Sequence, residues 1–201
     1  MSKLAGTYTE FLEIHASEDG AALLLKSLKW PSLPEEFEGF DAKSILCQSI
    51  DGRKRMRTKA PSWYSTTCLL YPTRLCTEQC SSEAAAKIKE ELVSRILEGR
   101  KDCRIADLTS GLGLDISTFS RIASRVLYND MDPVLVAAAR HNFRCLGISN
   151  AGFENRMIEP GMLSDMLCGE WQSPDVIFID PARRDDSGKK VFLLEDCLLL
   201  I

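Results

Sequence analysis

Three acids, each closing an apolar run, are the residues of this chain best placed to do chemistry. Ile105-Ala-Asp107 leads into a turn carrying Gly111 and Gly113, Val126-Leu-Tyr-Asn leads to Asp130, and Val176-Ile-Phe-Ile leads to Asp180-Pro181. Apolar runs that alternate with helical patterns read as strands of a parallel sheet, whose ligands bind outside the carboxyl ends of the strands. Glycines in the first turn let a ligand approach the backbone, and an acid ending the next strand can accept hydrogen bonds from ribose hydroxyls. The implied chemistry is recognition of a nucleoside-bearing cofactor. Asp180, followed by a proline that fixes φ, is an acid able to hold a base amide or to accept a proton.

Glycine spacing separates the cofactors. Dinucleotide folds use G-x-G-x-x-G, whereas this turn reads Asp107-x-Thr109-x-Gly111-x-Gly113. That spacing resembles the D-x-[G/T]-x-G-x-G turn of class I S-adenosylmethionine-dependent methyltransferases. Asp130-Met131-Asp132-Pro133 is similar to that family's ribose-binding loop, with Met131 placed against adenine; Asp132 as N-cap and Pro133 at the first helical position also make local sense. Phe178-Ile-Asp180-Pro181-Ala182-Arg183 resembles the Asp-Pro-Pro-like motif of RNA and DNA base methyltransferases. The resemblance implies S-adenosylmethionine as cofactor, held by Asp107, Thr109, Gly111, Gly113, Asp130 and Met131. Asp180, Pro181 and Arg183 would be the catalytic group facing the substrate. Adenine-N6 enzymes usually carry an aromatic after the prolines, so Ala182-Arg183 favours ring-carbon or ring-nitrogen methylation, or a phosphate grip by Arg183. Cys197 is the cysteine shortly after that motif, and nothing around it lowers a thiol pKa.

Around these residues the sequence reads as an α/β chain: a Rossmann-like class I sheet over residues 81–201, preceded by a mostly helical region over 1–80. Strands are expected near 103–108, 125–130, 152–158 and 175–180. Helices are expected at 21–28, after the Asp41 cap, at 82–98 behind Ser81 or Ser82, and at 133–146. Thr7 and Glu10 have capping-box spacing. Four strands are fewer than the seven of a class I sheet, so the sheet is expected to be incomplete at its C-terminus. The Asp180 strand then lies at or near an open edge that could pair with a second copy.

Arg53-Lys-Arg-Met-Arg-Thr-Lys59 followed by Trp63 and Tyr64 joins a basic run to aromatics. That pairing suits a phosphate backbone with a stacked base, so Arg53, Arg55, Arg57 and Trp63 are expected to contact nucleic acid. Glu78, Gln79 and Ser81 are expected to border the methionine end of the cofactor, or simply to cap. The chain as a whole resembles bacterial methyltransferases with a C-terminal THUMP-like domain, through Lys59-x-Pro61-Ser62-Trp63, Glu78-Gln-Cys-Ser-Ser-Glu83, the Asp107–Asp115 turn and Asp180-Pro-Ala-Arg-Arg-Asp185. That resemblance implies RNA (tRNA or rRNA) as substrate, with the C-terminal THUMP-like part expected to be absent from this chain. A noncatalytic cofactor- or RNA-binding fragment and an NAD-dependent oxidoreductase are the alternatives.

Composition narrows the class further. A net charge of −4 gives no global basic field, and the acid excess lies wholly in the second half. The eight cysteines lack metal-ligand spacing, both histidines are isolated, and no leader is recognisable, so free thiols in a cytoplasmic protein without a metal are expected. No apolar run reaches membrane-spanning length.

Overall fold

The computed structural model describes residues 7–158, 171 and 173–180. The helices are α1 (Tyr8–Ile14), α2 (Gly20–Leu23), α3 (Ala42–Lys59), α4 (Pro61–Tyr64), α5 (Arg74–Gln79), α6 (Glu83–Ile96), α7 (Leu114–Phe119) and α8 (Pro133–Cys145), with a 3-10 turn at Glu35–Phe37. Most start at a side-chain cap. Thr7 and Glu10 form the reciprocal capping box, and Asp19, Asp41, Thr73, Ser82 and Asp132 each accept a first-turn N–H that has no intrahelical partner. Pro133 occupies the first turn of α8. The helix expected over 21–28 is shorter, because α2 ends at Leu23.

Strands β1 (Arg104–Asp107), β2 (Arg125–Asn129), β3 (Ala151–Glu154) and β4 (Val176–Phe178) form one parallel sheet in the order β3-β2-β1-β4. The chain runs outward from β1 to β3, then returns to add β4 on the other side of β1. That reversal opens a crevice at the carboxyl ends, beside Asp107, Asp130 and Asp180. β3 is shorter than the expected 152–158 for a specific reason. The buried Asn129 amide takes both the N–H (3.0 Å) and the carbonyl (3.0 Å) of Arg156, so a side chain replaces the ladder there.

One face of the sheet is covered by helices, and the other is covered in part, with Ile177 of β4 43% exposed. Ile105, Val126 and Tyr128 pack with Val93 of α6 and its C-cap Leu97, Phe119 of α7 and Phe143 of α8. Ala106, Leu108 and Leu127 face the other way, against Ile158 and Trp171. The N-terminal helices dock on α8: Phe11, Leu23, Phe37, Leu46 and Ile50 share a cluster with Ala137 and Ala138. Buried Asn142 of α8 reinforces this by pairing with both the N–H and the carbonyl of Leu70 at 2.9 Å. On α6 only part of the expected apolar face is inside. Val93 and Leu97 are buried, while Ile88, Leu92 and Ile96, spaced by four, form a second stripe that is 60%, 54% and 71% exposed. No helix among the described residues is long and apolar enough to cross a membrane.

Candidate functional site

The turn after β1 is held rigidly at one end of a cavity of about 740 Å³. The Thr109 N–H reaches the Asp107 carboxylate (3.1 Å), the Ser110 N–H reaches the carbonyl of Asn129 (2.9 Å), and the Gly113 N–H closes the turn on the Ser110 carbonyl (2.8 Å). Gly111 and Gly113 both have positive φ, 55° and 88°, but they face different surroundings. A Cβ on Gly111 would meet nothing within 4 Å, and this glycine lines the cavity. A Cβ on Gly113 would sit 3.0 Å from Phe143 and 3.2 Å from Tyr128. Gly113 therefore serves the left-handed start of α7 and close packing behind the turn; it is not among the residues lining the cavity.

Asp130 stands across from Gly111. Its Oδ2 accepts the Gly111 N–H (2.9 Å) and its Oδ1 the Asp132 N–H (2.9 Å), which aims the carboxylate into the cavity it lines. Each oxygen keeps a lone pair for a further donor, such as a ribose hydroxyl. Burial pushes its pKa above the ordinary carboxylate value. Met131, 54% exposed, lines the same space with Leu135, Met157 and Ile158, an apolar wall suited to a flat base. Asp107 lies beneath the turn rather than in the cavity. It is 1% exposed, and burial pushes its pKa up to about 8, against the opposing pull of the Thr109 N–H.

Thr109 and Asp180 meet on the β4 side, where the Asp180 N–H donates to Thr109 Oγ1 (2.8 Å). The Asp180 carboxylate is engaged by Lys89 of α6 (3.2 Å), whose ammonium also contacts Asp115 Oδ2 (2.8 Å) and Ser81 Oγ (2.9 Å). Ser81 in turn donates to Asp115 Oδ2 (2.8 Å), while Asp115 Oδ1 is buried and has no hydrogen-bond partner. Burial opposes the charged form of Lys89, but the two carboxylates overcome it and its pKa is raised. Sequence reading missed Lys89 and Asp115. Asp115 sits two residues past the glycine turn, a signal that was available; Lys89 lies 91 residues from Asp180 and left no local trace. Glu78, Gln79 and Ser81 do line the cavity, together with Cys76 and Cys80. Pro181 and Arg183 lie outside the described residues.

The basic run is partly turned inward. Trp63 is 4% exposed and packs with Met56, Ala60, Leu69 and Tyr71, so its indole is closed to a stacking base. The Arg53 guanidinium lies over the Tyr64 ring at 4.8 Å and donates to the Thr66 carbonyl (3.1 Å). Arg55 donates to the buried Thr77 hydroxyl (3.2 Å). Arg57 is exposed.

Comparison with known proteins bears on the fold and on the cofactor. No family model matches the chain. It is 30% identical, over 122 residues, to an uncharacterized S-adenosylmethionine-dependent methyltransferase of Mycobacterium tuberculosis, covering 61% of this chain and 30% of that protein. It is 36% identical over 94 residues to a 23S rRNA (uracil(1939)-C(5))-methyltransferase of Edwardsiella ictaluri, covering 46% and 20%. A crystal structure from Porphyromonas gingivalis W83, of a candidate methyltransferase, superposes with a TM-score of 0.65 at 26% identity, covering 94% of this chain and 42% of that one. The fold is that of the Rossmann-like methyltransferases. The chain spans less than a third of the length of the curated relatives it matches.

Proposed function

We propose that this chain forms the cofactor-binding part of an S-adenosylmethionine-dependent methyltransferase acting on an RNA base. The observation that carries this is the convergence of Gly111, Asp130 and Asp180 on one cavity at the carboxyl ends of β1, β2 and β4. About 740 Å³ falls within the roughly 300–1,000 Å³ of small-molecule sites. The residues fit the group: an open cradle at Gly111, a carboxylate at Asp130 with free lone pairs, an apolar wall at Met131, and an unpartnered buried oxygen at Asp115. When bound, S-adenosylmethionine supplies a methyl group made electrophilic by its sulfonium.

The chain's own part is positioning and proton management. Asp130 would orient the ribose, Gly111 would leave room for the ligand beside the backbone, and Thr109 fixes the backbone of Asp180. Asp180, with its side chain 56% exposed, is the acid on the open side, where it can accept a proton or a hydrogen bond from the acceptor base. Lys89 holds that carboxylate beside the cavity. The RNA substrate is supported by the similarity to the Edwardsiella rRNA enzyme. Incubation with methyl-labelled cofactor and total cellular RNA tests it: label in RNA that is lost in Asp180→Asn supports the reading, and label in protein or small molecules alone refutes the substrate.

A further inference from the structure

The wall of the cavity from Thr73 to Ser81 is built on a six-residue helix, α5, too short to hold itself in water. Its last carbonyls have no intrahelical donors. Lys59, at the end of α3, supplies them: its Nζ donates to the carbonyls of Thr77 (2.9 Å) and Glu78 (2.6 Å). A cation is favoured at a helix carboxyl end, and here it closes two acceptors at once.

Two other residues of α3 show that this contact is a fitted one. Gly52, Arg55 and Lys59 fall at i, i+3 and i+7, one stripe of the helix. A Cβ on Gly52 would come within 2.6 Å of Tyr71 Cβ and 3.0 Å of Thr77 Cγ2, so the two segments approach as closely as only glycine permits. Arg55 holds the Thr77 hydroxyl, and Thr77 is fully buried. Past α5, Ser81 passes the constraint to Asp115 and so to Lys89 and Asp180. The geometry points to Lys59 as a positioning residue of the ligand site: it fixes the wall that carries Glu78, Gln79 and Ser81. The basic run of α3 is then in part an internal strut, which the reading of it as a nucleic-acid patch did not include. The link to a cofactor rests on the function proposed above; the link to the wall does not.

The test uses the full chain with Lys59→Met, Lys59→Arg and, as control, exposed Lys43→Met. Hydrogen exchange of amides 76–82 is compared with that of β2, which reports whether the variant is folded. Calorimetry measures S-adenosylhomocysteine binding. In Lys59→Met, exchange over 76–82 rises while β2 stays protected, and binding weakens about tenfold, as for loss of hydrogen bonds to a charged group. Lys59→Arg restores much of both, and Lys43→Met changes neither. Unchanged exchange over 76–82 in Lys59→Met overturns the inference, as does raised exchange with unchanged affinity. A wild-type chain that does not bind the ligand sinks the cofactor reading instead, and exchange still decides whether Lys59 sets the wall.

Discussion

Replacing Asp107 by Asn should make the protein more stable at neutral pH. Asp107 is buried under the glycine turn with its pKa pushed up to about 8, against an ordinary value of 3.8, chiefly by burial. Between those two values the folded chain holds a proton that the unfolded chain releases. The contribution of this group is therefore fully present below about pH 4 and is lost as pH rises toward 8. Each pH unit in that window costs about 1.4 kcal/mol, so moving from pH 5 to pH 7.5 costs about 3 kcal/mol through Asp107 alone. Asn has the shape of the protonated acid, can still accept the Thr109 N–H, and does not titrate. Differential scanning calorimetry of both proteins across pH 5–8.5 should show the stability difference growing in favour of Asp107→Asn. For a domain of this size about 3 kcal/mol is roughly 6–12 °C in Tm. Parallel curves over the whole range would mean that Asp107 ionises freely, and the argument from burial would be wrong.

Other substitutions separate binding from folding. Gly111→Ala should cost little stability beyond its positive φ but should sharply weaken S-adenosylhomocysteine binding by calorimetry, since its Cβ would enter open space beside the cavity. Gly113→Ala should do the reverse, lowering Tm through strain against Phe143 and Tyr128. Trp63→Ala should cost about 3–5 kcal/mol in urea unfolding, as for a buried aromatic, rather than act on RNA affinity alone. Arg57→Ala should reduce the salt slope of RNA binding by about one phosphate contact, and an unchanged slope would remove Arg57 from the interface.

The parts of the fold legible in the sequence are those that local chemistry decides. Capping by Thr7, Asp41, Ser82 and Asp132 needs only a side chain and the amides two or three residues on, and the helices start where those residues said. Three short apolar runs ending in acids, with a fourth segment near 152, gave four parallel strands, and their order put Asp107, Asp130 and Asp180 at one end. What depended on distant partners was not legible. The pattern Ile88, Leu92, Ile96 is as helical as Val93, Leu97, and only the docked sheet decides which stripe goes inside. Arg55 and Lys59 look like surface charges until Thr77 and Glu78 arrive from 18 to 22 residues away. Trp63 reads as a stacking platform until Met56 and Tyr71 enclose it. Gly111 and Gly113 share a motif, yet one opens on the cavity and the other on an aromatic pair, a distinction that spacing alone does not hold.

The cavity bounded by Gly111, Asp130 and Asp180 is proposed to take S-adenosylmethionine. Isothermal titration of the chain with S-adenosylmethionine, its demethylated product and NAD, repeated on Asp130→Ala, tests it most directly. Saturable one-to-one binding of the first two and none of NAD is expected. Asp130→Ala should lose about 1.5–3 kcal/mol of affinity while remaining folded. Tighter binding of NAD, or equal binding by wild type and Asp130→Ala, would contradict it.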